Sequence, residues 1–389
     1  MRLFAVLLLG LYSLALRAEG QTLAPATESQ IDALFSALSP KAPGAAVMIR
    51  KDGRTVYAKG FGVRRIGTPA KIDPRTNFRL ASFTKQFTAM AIMLLVHDKK
   101  LRYDQTLTEV FPEFPAYGKN VTIHNLLNHT GGLPDYEDLM DAEEKSKGSA
   151  IWSPEHQIQD PEVLSLLEKA PGAKFIPGTS WAYSNSGYVV LGLTVAKVSG
   201  QSFADFLKAR IFAPLHMDHT IVFMQGKNEV FNRAYGHSKE GDALKETDQS
   251  STSATLGDGG IYSNLDDLAK WDDALSNHAL LSDQEFAPAL VPAKLITGAP
   301  TLWPPGEANG DDQHPGKPVS YGFGWFLDPY KDHPRMWHTG DTRGFRTVIE
   351  RFTHDDLTIV VLANRADLDP ESLALRIADL SLNVSERSN

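Results

Sequence analysis

Residues 78–98 read FRLASFTKQFTAMAIMLLVHD. From Ser82 to His97 nearly every residue is apolar or small, a density that predicts a helix buried on most sides. Lys85 falls in its first turn, where the helix dipole disfavours a cation. A capping box would carry Glu or Gln three residues after Ser82, and the charge here is opposite. In one reading Ser82 caps the helix and Lys85 extends its charge to water. The other reading removes the conflict. Residues i and i+3 share a helix face, so the Lys85 amine reaches the Ser82 hydroxyl. Burial and the dipole together lower the lysine pKa. A neutral amine can then take the serine proton, leaving an activated nucleophile. The Ser82 backbone N–H at the same helix start is available to a developing oxyanion. An S-x-x-K match is weak by itself; its position on a strongly apolar helix gives it weight.

Outward from this helix, the two ends of the chain are rich in strand signals. GAAVMIRKDGRTVYAKGFG (44–62) predicts a β-hairpin around Asp52-Gly53. RTVIERF (346–352) and LTIVVLANR (357–365) predict two more strands, and DPESLALRIADLSL (369–382) a closing helix. Between them TIHNLLNH, PEVLSLLEKA, GYVVLGLTVAKVSG and SFADFLKARIF read as helices. Gly200 is a stop signal, and Ser202 and Ser263 are starts of the S-x-x-D kind. The expected fold is α+β: an antiparallel sheet formed from both chain ends, flanked by helices, with an all-helical lobe. Lys239–Gly260 and Val291–Ser320 read as long irregular stretches, either site walls or surface insertions.

Residues 1–20 are set apart as a cleavable signal peptide: Arg2, then the apolar LFAVLLLGLYSLAL (3–16), then small residues around Glu19. That run is shorter than the roughly 20 residues a membrane helix needs, although an uncleaved anchor is the alternative. Residues 21–389 then form one domain, secreted or periplasmic, with no stable membrane insertion after cleavage. The sequence has no cysteine, which excludes disulfides, thiol nucleophiles and cysteine-ligated zinc. No H-E-x-x-H pattern appears either, so neither a metal nor another cofactor is expected. Net charge is −8 with both signs interspersed, which argues against a nucleic-acid partner and shows no basic membrane-binding face; the expected partner is a small-molecule or peptide substrate. Asn120, Asn128 and Asn383 lie in N-x-S/T sequences, relevant only in a eukaryotic secretory host.

Acyl transfer through Ser82 needs a second proton carrier and a second oxyanion donor. Tyr-Ser-Asn occurs twice, at 183–185 and 262–264. In an extended segment the Tyr and the Asn point the same way, so both could enter one cleft. Ser263 reads as a cap with Asn264 in the first helical turn, which leaves Tyr183 and Asn185 as the site candidates. His-Thr-Gly also occurs twice. His129-Thr130-Gly131 reads as a helix-terminating turn. His338-Thr339-Gly340 runs into a strand, whose edge keeps backbone N–H groups available to a substrate.

Ser-x-x-Lys, Tyr-x-Asn about a hundred residues later, and a late His-Thr-Gly on a strand resemble, in that order, the serine β-lactamase-related hydrolases. The similarity is to the side of class C β-lactamases, DD-peptidases, D-aminopeptidases and β-lactamase-like esterases. VTIHNLLNHTGGLPDY, GGIYSNLDDLAKW and YGFGWFL look like the same family, over roughly residues 31–365. The resemblance implies an antiparallel sheet beside a helical lobe, with the site between them. It implies Ser82 as nucleophile, Lys85 as its activator and Tyr183 as the proton shuttle to the leaving group. Asn185 would contact Lys85 and substrate, His338, Thr339 and Gly340 would form the substrate-facing strand, and the Asp341 N–H would complete the oxyanion hole.

Two departures stand out. His338 occupies a position where many relatives carry lysine, and a neutral imidazole greets a carboxylate poorly. Asp341 puts a carboxylate beside the oxyanion hole, to be turned away or paired with Arg343. The expected activity is a secreted serine hydrolase cleaving esters or amides of small substrates, of the esterase or D-amino-acid peptidase type. The alternatives are a class C type β-lactamase and a penicillin-binding sensor that acylates without turnover.

Overall fold

In a computed structural model that describes residues 23–304 and 315–386, Asp52 and Gly53 both take positive φ, 50° and 70°. That is the geometry of a two-residue turn matched to strand twist. It joins β1 (Ala45–Lys51) to β2 (Arg54–Phe61). Three later strands, β3 (Arg335–Thr342), β4 (Phe345–Phe352) and β5 (Leu357–Ala363), complete a five-stranded sheet in the order β2-β1-β5-β4-β3. Every pairing is antiparallel, and β1 meets β5 from Ala45 opposite Ala363 to Lys51 opposite Leu357. The sheet is therefore closed at its centre by the two ends of the chain. Residues 1–20, the expected signal peptide, lie outside the described residues.

Strand alternation divides the core. Val47, Ile49, Ile359 and Val361 pack with Ile31 of the helix Pro25–Leu34 and Ile377 of the helix Pro370–Glu386. Ala46, Met48, Val360 and Leu362 face the opposite way, into the helical lobe. Both faces of β1 and β5 are covered, which explains their unbroken apolar runs. At the lobe side Asp272, on the helix Leu265–Ser276, receives Arg50 Nε at 2.8 Å, Arg351 Nε at 2.7 Å and the Thr358 hydroxyl at 2.8 Å. Removing this one carboxylate would leave two buried guanidinium groups without it, a loss of about 3–5 kcal/mol.

The lobe is built on the helix Lys85–His97, apolar all round as its sequence predicts. It packs against Asn185–Ser199, which Ser184 caps by accepting from Gly187 N–H and Gly200 ends at φ 72°. Ser202 caps Phe203–Leu207 as expected, and Thr122 caps Ile123–Leu127. Three local expectations need correction. The α-helix begins at Lys85, and Ser82 belongs to a 3-10 turn, Ala81–Thr84, that leads into it. Asn264, not Ser263, caps Leu265–Ser276, because Ser263 is the last residue of a strand and its hydroxyl pairs with Thr220. The stretch 239–260 is not wholly irregular: His237–Glu240 and Ala243–Glu246 form a hairpin.

Candidate active site

The Ser82 turn is held by a three-stranded sheet. Phe78–Arg79 pairs with Ile261–Ser263, and Leu80 N–H donates to the Ile261 carbonyl at 2.9 Å. The chain then bends at Ala81, whose φ of 51° is left-handed for a residue with a side chain. Such a conformation costs about 1–3 kcal/mol and persists only where its surroundings enforce it. The bend directs Ser82 into a cleft between sheet and lobe, and Lys85, one turn later, is fully buried behind it.

Lys85 Nζ lies 3.1 Å from Ser82 Oγ, 2.8 Å from Asn185 Oδ1 and 3.1 Å from the Asp258 main-chain carbonyl. Burial lowers its pKa to about 8, with the Asp258 carboxylate acting in the opposite direction. A neutral amine has two hydrogens and one lone pair. The Asn185 and Asp258 oxygens can only accept, so they take the two hydrogens and the lone pair is left facing the Ser82 hydroxyl. The arrangement thus selects a direction for proton transfer, from Oγ to Nζ.

The two Tyr-Ser-Asn copies go to different places. The Tyr183 ring centroid lies 4.8 Å from Lys85 Nζ, and Tyr183 and Asn185 both line the cleft. Tyr262 is fully buried in the three-stranded sheet, with its hydroxyl 3.0 Å from Arg233 Nη2. That copy supports the Ser82 turn from behind. The first His-Thr-Gly copy follows the helix Ile123–Leu127, and the second lies on β3.

β3 is an edge strand, and its outer edge faces the cleft. Trp337 exchanges both main-chain hydrogen bonds with Phe326, at 2.9 and 3.0 Å, across that edge. By alternation the main-chain groups of Thr339 and Asp341 point the same way, and residues 339–341 line the cleft. Gly340 faces inward against the Ser82 turn, where a Cβ would meet the Leu80 carbonyl oxygen at 2.0 Å. Only glycine lets the strand lie this close. Asp341 pairs with Arg346, directly opposite it on β4, at 2.5 Å, and not with Arg343. Register decides this, since Arg343 sits in the turn.

His338 is buried and uncharged. Its Nδ1–H donates to the Thr339 carbonyl at 2.6 Å, so Nε2 accepts from the Tyr321 hydroxyl at 3.0 Å. Burial, reinforced by nearby Lys85, lowers its pKa to about 3. Tyr321 and Asp258 were not singled out from sequence; YGFGWFL held the first, and Asp258 enters through its carbonyl, which no residue pattern marks.

The cleft has a volume of about 830 Å3. One wall is aromatic: Trp181, Trp303 and Phe326, with Trp303 lying 4.9 Å from Trp181 and 5.9 Å from Phe326. Trp303 belongs to the stretch 291–320, which therefore supplies part of the site wall. The cleft lining carries Asp135, Glu137, Asp138, Asp367, Asp369 and Glu371 against Lys174 and Arg346; Asp367 is paired with Arg365 and Lys239, and burial raises the Glu137 pKa to about 7. Among the described residues no group of His, Cys, Asp or Glu is placed to hold a metal ion, and no helix is long and apolar enough to cross a membrane.

Penicillin-binding protein 4* of Bacillus subtilis is 31% identical over 364 residues, covering 90% of this chain and 74% of that protein. The octameric penicillin-binding protein homologue from Pyrococcus abyssi superimposes with a TM-score of 0.73 at 27% identity, over 92% of this chain and 77% of that one. The D-amino acid amidase of Ochrobactrum anthropi SV3 shares the fold, with a TM-score of 0.72 at 23% identity, over 93% of this chain and 99% of that one. The β-lactamase family profile matches residues 28–383. With this fold and a serine and a buried lysine in hydrogen-bond contact, the chain belongs to the β-lactamase family of serine hydrolases.

Proposed function

We propose that the protein cleaves esters or amides of small, neutral or amine-bearing substrates through an acyl-enzyme on Ser82. The observation that carries this reading is the placement of Lys85 Nζ: fully buried and bounded by two obligate acceptors and the Ser82 hydroxyl. In the first step neutral Lys85 takes the Oγ proton as Oγ attacks the carbonyl carbon. The oxyanion is met by the Ser82 and Asp341 N–H groups. Tyr183 returns a proton to the leaving group, which departs as the tetrahedral species collapses to the ester on Ser82. Water then repeats the sequence in reverse and frees the acid.

Charge supports the substrate class. His338 supplies no cation, Lys85 is enclosed, and acidic side chains outnumber basic ones in the cleft lining. A substrate bearing a carboxylate meets a repulsive approach, whereas a neutral or cationic one does not. The aromatic wall offers an apolar group a dry face. Export is part of the same proposal, motivated by the apolar run after Arg2.

The test offers residues 21–389 p-nitrophenyl butyrate, a D-amino acid p-nitroanilide and a chromogenic cephalosporin side by side, with Ser82→Ala as control. A fluorophosphonate should add its mass to the peptide containing Ser82. Labelling at another serine, or turnover by Ser82→Ala, overturns the assignment. Stable acylation by the cephalosporin without ester turnover favours a penicillin-binding sensor instead.

A further inference from the structure

Tyr183 lies outside regular secondary structure, just before the Ser184 cap. Neither helix nor sheet fixes its main chain, yet its neighbours on both sides are fastened to one residue. Ala182 N–H donates to the His129 carbonyl at 3.1 Å, and Ser184 N–H donates to His129 Nδ1 at 3.1 Å. The imidazole also packs on the Tyr183 ring, with centroids 4.5 Å apart, and on Tyr321 at 4.5 Å. Tyr321 is the residue whose hydroxyl meets His338.

His129 is 1% exposed and sits at φ 63°, left-handed backbone that histidine visits more readily than most side chains. The following residue locks it: Thr130 N–H donates to the Asn125 carbonyl at 2.9 Å, and the Thr130 carbonyl accepts from Gly178 at 2.8 Å. Because Nδ1 accepts, the neutral ring carries its hydrogen on Nε2. That atom is buried with no hydrogen-bond partner among the described residues. Burial, aided by Lys85, holds the His129 pKa well below its usual value, so Nδ1 remains an acceptor through neutral pH.

We propose that His129 is a positioning residue that clamps the main chain on either side of Tyr183 and so aims the Tyr183 hydroxyl at the leaving group. This rests on the reading of Tyr183 as the proton donor to that group. The residue acts through Tyr183 and touches no reacting atom.

The experiment compares His129→Asn, His129→Gln and His129→Leu. Asparagine places an oxygen near the Nδ1 position and tolerates left-handed backbone; glutamine is polar but carries its amide too far out. Substrates are p-nitrophenyl butyrate, whose leaving group needs no proton, and ethyl butyrate, whose leaving group does. The Gln and Leu variants should lose about 10²-fold in kcat on the ethyl ester, in the range of general acid help, and only a few-fold on the p-nitrophenyl ester. Tyr183→Phe should show the same selectivity, adding His129→Gln to it should cost nothing more, and His129→Asn should recover most of the ethyl ester activity. With Tyr183→Phe selective, equal losses on both esters in His129→Gln, additivity with Tyr183→Phe, or no recovery with asparagine would each overturn the proposal. A 19F spectrum of 3-fluorotyrosine at position 183 separates the clamp from the proton role. One narrow signal in wild type and His129→Asn, but several or a broadened one in His129→Gln, supports the clamp even if Tyr183→Phe shows no leaving-group selectivity and that role fails. An unchanged narrow signal in His129→Gln refutes it.

Discussion

Replacing Gly340 with alanine tests whether β3 must lie against the turn that carries Ser82. The added Cβ would sit 2.0 Å from the Leu80 carbonyl oxygen and 2.3 Å from Thr347 Oγ1. Real Cβ atoms keep at least 3.0 Å from such neighbours, so strand and turn must separate by about 1 Å. Neither side yields cheaply. The Leu80 carbonyl accepts from Thr347 Oγ1 at 2.8 Å, and Leu80 N–H is tied to Ile261 at 2.9 Å. Ser82 is two residues beyond Leu80 and Asp341 is one beyond Gly340, so the displacement moves the proposed nucleophile away from the proposed second oxyanion donor. A misplacement of about 1 Å costs about 10²-fold in rate, or about 2.7 kcal/mol in the barrier. Overpacking should also remove about 1–3 kcal/mol of stability. We expect kcat/KM for p-nitrophenyl butyrate to fall about 10²-fold in Gly340→Ala, with a matching fall in fluorophosphonate labelling and a lowered Tm. The control is Gly172→Ala, where nothing lies within 4 Å of the added carbon. Activity of Gly340→Ala within about fivefold of wild type would refute the reasoning.

Lys85 with a pKa of about 8 is roughly one-tenth neutral at pH 7, so kcat/KM should rise about tenfold between pH 7 and 9 and then level off; a flat profile contradicts its role as base. Lys85→Arg keeps the charge but cannot be deprotonated near neutrality, and a variant retaining more than about a tenth of the activity argues the same way. Tyr183→Phe should cost about 10²–10⁴-fold on substrates with poor leaving groups. Tyr262→Phe should leave activity largely intact but lower Tm, because it takes the hydroxyl from half-buried Arg233; the reverse order would show that the wrong copy has been assigned. With His338 lowered to about 3, neutral butyrate esters should be hydrolysed with higher kcat/KM than penicillins or cephalosporins. A cephalosporin preferred over p-nitrophenyl butyrate contradicts this.

The amino-acid sequence by itself determined the local elements. Asp52-Gly53 specified the hairpin, Ser202 a helix start and Gly200 a stop, because turns and caps are decided within about four residues; the start expected at Ser263 fell one residue later, at Asn264. Strand signals at both ends were enough to expect one antiparallel sheet between them. The same short range made Ser82 and Lys85 visible as a pair, since one turn of chain brings them together. Everything needing contact between distant segments was decided by tertiary structure. The Asp258 carbonyl reaches Lys85 across 173 residues, and Asn185 across 100. Sequence offered two Tyr-Ser-Asn and two His-Thr-Gly segments with the same local chemistry. Packing put Tyr183 beside Lys85 and Tyr262 behind the Ser82 turn. Pairing of β3 with β4 gave Asp341 to Arg346 in place of Arg343. Local propensity has no term for these outcomes; they follow from which apolar faces the whole chain buries against one another, and only the folded molecule contains that information.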